Sequence, residues 1–267
     1  MTVAVTRPGS IDIAGGRPLR GTLTAPGDKS ISHRALMVAA RADGASIIRG
    51  LSGGDDVRRT VTALSQLGAR FAGNHEVELR VTGGAERLRE SDDVVDVGNS
   101  GTGIRLHSGY ATPFNGLTVL TGDDSIRRRP MDRVVAPLRE MGARIDGREG
   151  GRLAPLIIRG GSLRGIDYTP PVASAQVKAA VLLAGLGASG VTVVRENIIT
   201  RVHTEEILRL AGADVEVEST PDFEGRIVRV RESELSPFEM RVPADPSQVA
   251  FFVVAACVVP GSEIHCK

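Results

Sequence analysis

Leu67-Gly68-Ala69-Arg70-Phe71, Met141-Gly142-Ala143-Arg144-Ile145 and Ala211-Gly212-Ala213-Asp214-Val215 are three copies of one signature. Each is an apolar residue, Gly-Ala, a charge and the start of a β-like run, and the glycines lie 74 and 70 residues apart. The copies close segments whose apolar residues keep helical spacing: Val57, Val61, Leu64 and Leu67 in the first, Val134, Leu138 and Met141 in the second. Glycine in the last turn or just beyond it ends a helix because it accepts a left-handed backbone at no steric cost. Pro137 falls inside the second segment and predicts a kink or a late start there.

Working outward, a second landmark precedes each copy, a Ser-containing loop running into an apolar helix. Ser30 lies in Pro26-Gly27-Asp28-Lys29-Ser30 and Ser100 in Gly98-Asn99-Ser100-Gly101-Thr102-Gly103. Ser174 lies in Val172-Ala173-Ser174-Ala175-Gln176, and Ser247 in Ala244-Asp245-Pro246-Ser247-Gln248. These serines are 70, 74 and 73 residues apart. Short β-like runs fill the gaps: 46–48, 118–120 and 191–194 between the helices, then 77–81, 156–158 and 226–230 after them. The predicted architecture is therefore α/β, built of repeated βαβαββ units, three complete and a truncated fourth. A β/α unit cannot bury its faces alone, and residues 249–259 are apolar all round where a capping repeat would be polar outside. The chain is accordingly expected to be the front portion of a longer protein, with Phe251, Phe252, Val253 and Val254 left as an apolar patch that promotes self-association.

Composition narrows the function. The 267 residues carry a formal charge of +1 and only 3% aromatics, with no Trp. That argues against a nucleic-acid partner, which calls for a basic surplus or stacking rings. The longest apolar run is too short for a membrane span, and residues 1–13 lack a signal-peptide layout, so a cytoplasmic protein is the default expectation. Cys257 and Cys266 form no CxxC pair, and the five histidines show no ligand spacing, so no metal is expected. Of 33 basic residues only Lys29, Lys178 and Lys267 are lysines. An ammonium kept where Arg is the rule is notable, because it alone shifts its pKa readily.

The landmark loops carry the chemistry. Each enters a helix N-terminus, where free N–H groups and the macrodipole favour an anion. Cations accompany them: Lys29 and Arg34, then Arg105, then Arg201 and His203, besides the run Arg127, Arg128 and Arg129. Neither the dinucleotide G-x-G-x-x-G order nor a Walker A loop is present. Taken singly, Ser and Asn in such loops are helix caps; three loops with both caps and cations point to anion binding.

Together, Gly27-Asp28-Lys29-Ser30-Ile31-Ser32-His33-Arg34, Gly98 to Arg105, Arg129-Pro130-Met131 and Ser174-Ala175-Gln176 resemble the 5-enolpyruvylshikimate-3-phosphate synthase family over nearly the whole chain. Arg201-Val202-His203-Thr204-Glu205 is similar to the form found in its glyphosate-tolerant class. The resemblance implies transfer of the enolpyruvyl group of phosphoenolpyruvate to the 5-hydroxyl of shikimate 3-phosphate, releasing phosphate, with no cofactor. It implies that Ser174, Ala175, Gln176 and Arg201 take the phosphate of shikimate 3-phosphate, and Lys29, Ser30 and Arg34 its carboxylate and hydroxyls. Phosphoenolpyruvate would meet Lys29, Gly101, Arg129 and Gln176, and a β-carbon at Gly101 would crowd glyphosate-like inhibitors first. Lys29 is the candidate catalytic residue, a proton shuttle whose pKa neighbouring cations would depress. The family's carboxylate acid and base fall beyond residue 267, so the chain is expected to bind without turning over. The domain plan implied is 1–25 with the other domain, 26–242 as the three-unit substrate domain and 243–267 re-entering the other, in a full-length monomer. The alternatives are the related enolpyruvyl transferase of UDP-N-acetylglucosamine, disfavoured because both cysteines lie outside the 100–130 loop region, and a non-catalytic anion-binding module.

Overall fold

The computed structural model describes residues 2–7, 10–14, 16–75, 77–221 and 224–267, those up to 14 as backbone alone. Residues 1, 8, 9 and 15, part of the expected 1–25 segment, lie outside the described residues. A hairpin of β1 (Thr2–Arg7) and β2 (Ser10–Ala14) precedes β3 (Arg20–Leu23). The first unit follows as α1 (Lys29–Arg41), β4 (Gly44–Arg49), α2 (Asp55–Gln66), β5 (Arg70–Asn74) and β6 (Glu78–Gly83). The second is β7 (Val95–Asp96), α3 (Gly101–Ala111), β8 (Leu117–Thr121), α4 (Asp132–Glu140), β9 (Arg144–Arg148) and β10 (Leu153–Arg159). The third is β11 (Leu163–Arg164), β12 (Asp167–Tyr168), α5 (Ala175–Gly185), β13 (Ala188–Ser189), β14 (Val191–Glu196), α6 (His203–Leu210), β15 (Val215–Ser219) and β16 (Arg226–Arg231). The chain ends with β17 (Glu239–Arg241), α7 (Pro246–Val258) and β18 (Glu263–Cys266).

Three four-stranded sheets share one plan, β17-β4-β6-β5, β7-β8-β10-β9 and β12-β14-β16-β15. In each the first pair is parallel and the other two antiparallel. One strand departs from the chain-order reading. The place beside β4 is filled not by β3 but by β17, some 190 residues on, while β3 pairs in parallel with β18. A strand of three residues is too short to show alternation, which is why its position is silent in the sequence.

The repeated Gly-Ala signature builds the same helix ending three times. Gly68, Gly142 and Gly212 have φ of 111°, 105° and 84°. Their N–H groups bond to Ser65, Arg139 and Arg209, and the next alanines, Ala69, Ala143 and Ala213, reach back to Leu64, Leu138 and Leu208. This double bond pattern satisfies the last carbonyls and brings an apolar pair together at each exit. At the entrances, Ser100 and Ser174 are the caps of α3 and α5, accepting from Gly103 N at 2.9 Å and Val177 N at 3.3 Å. Ser30 and Ser247 are not caps; Asp28 and Asp245 hold those positions, accepting from Ile31 N and Ser247 N. Aspartate caps as well as serine does, so regular serine spacing was a poor guide to register. Nor does Pro137 delay α4, which begins five residues earlier and carries it buried, with Met141 N bonding to its carbonyl.

The helices sort into two kinds. In α1, α3 and α5 nearly every residue beyond the first turn is buried, whereas α2, α4 and α6 bury one face only. The inner three form the core, and α2 packs on α3, α4 on α5 and α6 back on α1, closing the ring that β17 also closes. Close approach needs small residues: a Cβ on Gly109 of α3 would sit 2.1 Å from Ala180 O of α5, and one on Gly83 2.3 Å from Ala40 O. The helix α7 lies against β18 with none of its residues buried, exposing Phe251 (79%), Phe252, Val254 and Val258. Among the described residues no helix is long and apolar enough to cross a membrane.

Candidate functional site

Side chains at the openings of α1, α3 and α5 reach one another, so the three N-termini lie at one end of the core. Arg34 Nη2 donates to Ala175 O at 3.2 Å, and Gln176 Nε2 to Thr102 Oγ1 at 3.0 Å. Beneath them Ser100 Oγ meets His33 Nε2 at 3.3 Å.

Lys29, Gly101, Arg129 and Gln176 line one cleft of about 460 Å³, together with Asp56, Asn99, Thr102 and Arg105. Arg129 Nη2 is held by Asn99 Oδ1 at 3.0 Å and Ser125 Oγ at 3.1 Å, and Asn99 in turn donates to Asp123 Oδ2 at 2.7 Å. Arg105 lies one turn inside α3 and bonds back to Gly101 O at 3.0 Å, to Gln176 Oε1 at 3.2 Å and to Pro130 O at 3.3 Å. Its pKa is lowered by burial and then by the adjacent Arg129 and Arg133, the mark of clustered positive charge. The expectation that cations surround Lys29 meets a carboxylate instead: Asp56 Oδ2 lies 2.8 Å from Nζ.

Ser30, Arg34, Ser174, Ala175 and Arg201 belong to the adjoining half. The Arg34 guanidinium is buried and donates to Ser30 O at 2.9 Å, Thr204 Oγ1 at 2.7 Å and Ala175 O. Three of its five N–H groups are thus engaged, so it ties α1, α5 and α6 together. Burial, then the charge of exposed Arg201, pushes the Arg34 pKa down to about 10. Ser174 lines a smaller cleft of about 160 Å³ with Glu196, Asn197 and Ile198, at the foot of the segment that carries Arg201.

Of the two further charged residues of the Lys29 cleft, Arg105 is among the loop cations the sequence marks, and Asp56 alone escaped it. Arg105 stands four residues after Gly101, a spacing that aims a helix side chain back at its own N-terminus. Asp56 had no such signal, since it reaches Lys29 from a different helix. Electrostatics also selects this end over a roomier cleft of about 760 Å³ at the C-terminal ends of the same helices. That one is lined by one cation, Arg41, against four carboxylates, Asp43, Glu86, Glu232 and Glu234, and helix C-termini add partial negative charge, a balance unfavourable to a polyanion.

Comparison with known proteins places the chain and its fold. The sequence profile of EPSP synthase (3-phosphoshikimate 1-carboxyvinyltransferase) matches residues 13–267. A 3-phosphoshikimate 1-carboxyvinyltransferase of Pelotomaculum thermopropionicum is 49% identical over 95% of this chain and 58% of its own length. One from Gloeobacter violaceus is 51% identical over 96% of this chain and 58% of its own length. The solved EPSP synthase of Acinetobacter baumannii superposes with a TM-score of 0.83 at 40% identity, over 94% of this chain and 56% of that one. The chain therefore spans somewhat more than half the length of the relatives it matches. With a profile that covers all but the first twelve residues and a fold shared at 40% identity, the chain belongs to the EPSP synthase family.

Proposed function

We propose that this chain supplies the substrate-loading half of an enolpyruvyl transfer from phosphoenolpyruvate to the 5-hydroxyl of shikimate 3-phosphate. The observation that carries the reading is the convergence of three helix N-termini and the cations Lys29, Arg34, Arg105, Arg129 and Arg201 at one end of the core. Residues 26–242 form the substrate domain in this reading, and 1–25 with 243–267 belong to another. The pairing of β3 with β18, and the two crossings Asp28 N to Pro243 O and Asp245 N to Pro26 O, both 2.8 Å, support that division.

Shikimate 3-phosphate lays its phosphate against the α5 opening, at Ser174, the Ala175 backbone, Gln176 and Arg201, and its ring against Lys29, Ser30 and Arg34. Ala175 offers no hydroxyl, so its contribution is the backbone N–H. Phosphoenolpyruvate takes the cleft between Lys29, Gly101, Arg129 and Gln176. The 5-hydroxyl oxygen bonds to C2 as its own proton passes to a base and an acid delivers a proton to C3; loss of a C3 proton then re-forms the C2–C3 double bond and expels phosphate by breaking the C2–O bond. Lys29 is the proposed proton carrier, its ammonium oriented by Asp56.

Isothermal titration tests the reading. Shikimate 3-phosphate should bind one to one, and roughly tenfold more weakly as salt rises toward 0.5 M, because exposed charges there are screened. Absence of binding at millimolar ligand overturns it. A Cβ at Gly101 would lie 2.7 Å from Arg129 Nη1 and 3.2 Å from Arg105 Nη1, both flexible tips that must yield. Gly101→Ala should therefore weaken phosphoenolpyruvate, and glyphosate-like phosphonates, by about tenfold, the scale of one disturbed charge-assisted hydrogen bond. Shikimate 3-phosphate affinity in the same variant should stay within about twofold of the parent.

A further inference from the structure

Beneath the α5 opening lies a buried ionic cluster that the proposed reaction does not use. Lys178, one turn into α5, is fully buried, and its Nζ donates to Glu196 Oε2 and to Glu205 Oε1, each at 2.8 Å. Glu196 ends β14 and Glu205 lies on α6, so one ammonium joins three elements. The second oxygen of Glu196 accepts from Thr200 N at 3.1 Å and from the Thr200 hydroxyl. The second oxygen of Glu205 is buried and unpartnered, beside Thr204, which takes the Arg34 bond. Two carboxylates against one lysine is an expensive arrangement to bury, and burial raises the Glu205 pKa. Hydrophobic residues of the same size would serve stability as well, so the cluster calls for a positional reason.

That reason is the segment it clamps. Residues 197–202 run from Glu196 to the start of α6, carry Arg201, and are fastened by Thr200 to Glu196 at one end and by Glu205 to Lys178 at the other. We infer that Lys178, with Glu196 and Glu205, is a positioning residue that sets Arg201 over the α5 N-terminus and so fixes the affinity for the phosphate of the substrate. The inference rests on the proposed reading, in which Ser174, Gln176 and Arg201 receive that phosphate. Lys178 itself is fully enclosed, so its action on a ligand is through the segment it holds.

The test compares shikimate 3-phosphate with shikimate, which lacks only the phosphate, by titration into the parent chain and three variants. Lys178→Met alone strands two buried carboxylates and loses thermal stability. The compensated Lys178→Met, Glu196→Gln, Glu205→Gln variant removes the charges together and keeps the fold. Thr200→Val is milder, releasing one end of the segment. For the compensated variant the expected result is a loss of at least tenfold in shikimate 3-phosphate affinity, with shikimate affinity unchanged. For Thr200→Val the loss should be about threefold to fivefold, again for the phosphate ester alone, with Tm within about 2 °C of the parent. A compensated variant, or, if that variant does not fold, Thr200→Val, that binds the ester as the parent does overturns the positioning role. Equal loss for both ligands overturns it too, since that is what a general packing defect produces. A parent that fails to prefer the phosphate ester defeats the underlying reading, a result distinguishable from either.

Discussion

Gly109→Ala should destabilise the chain by about 3 kcal/mol or more, at or beyond the upper end for an overpacked core. The added Cβ would stand 2.1 Å from Ala180 O and 2.6 Å from both Ala180 C and Cα. All three are backbone atoms, so no rotamer change relieves the clash, and α3 and α5 must move apart along a face that is otherwise buried throughout. In a chain of this size each kcal/mol shifts Tm by about 2–4 °C, so the variant should melt at least roughly 6 °C below the parent. Gly190→Ala is the control. Gly190 has φ +81° but nothing within 4 Å of a new Cβ, so it should cost only the left-handed backbone strain, about 1 kcal/mol. Thermal unfolding followed by circular dichroism separates the two, and a Gly109→Ala melting point within 2 °C of the parent would contradict the packing argument. Function follows the same joint. Gln176 meets Thr102 and Arg105 only because α3 and α5 approach this closely, so any Gly109→Ala protein that folds should also bind anions less well.

Gly109 shows where the sequence reading stopped. The Gly-Ala helix endings were legible because chain reversal there depends on one residue type and on bonds within five residues. Gly109 sits mid-helix, where glycine reads merely as a weak helix former, and only the partner helix explains it. The same division holds for the site. Lys29, Gly101, Arg129 and Gln176 do share a cleft, each being placed by the loop or helix start on which it occurs. Asp56 and the Lys178, Glu196 and Glu205 cluster depend on packing between elements tens of residues apart, which no local spacing encodes. Lys178 did carry a faint compositional mark, as one of three lysines in a chain that otherwise uses arginine. The caps show the opposite error: serine periodicity was real, yet the helix starts of α1 and α7 are set by Asp28 and Asp245.

Acid should undo this same end of the molecule. His33 and His107 are buried beneath the α3 opening, and both are held neutral. Burial, then His107, Lys29 and Arg34, lowers His33 to about 3; burial lowers His107 to about 4. The geometry fits neutral rings. His107 Nδ1 donates to Gly103 O at 2.8 Å and leaves Nε2 buried without a partner, while His33 shares hydrogen bonds with two hydroxyls, Nδ1 with Thr60 Oγ1 at 2.7 Å and Nε2 with Ser100 Oγ at 3.3 Å, one as donor and one as acceptor in either neutral tautomer. In the unfolded chain both rings titrate near 6.5, so below that pH the unfolded state binds more protons and stability falls. The contribution is complete above about pH 6.5 and is lost as pH drops toward 4 and 3. At pH 5, before most carboxylates respond, each ring should already have cost about 2 kcal/mol, a large share of the 5–15 kcal/mol typical of a folded domain. Glu205, whose pKa burial raises, works in the opposite sense and offsets part of the loss. Denaturant midpoints measured from pH 7.5 to 5 should therefore fall steeply for the parent and much less for the His33→Gln, His107→Gln double variant. Parallel slopes for the two proteins would refute the assignment.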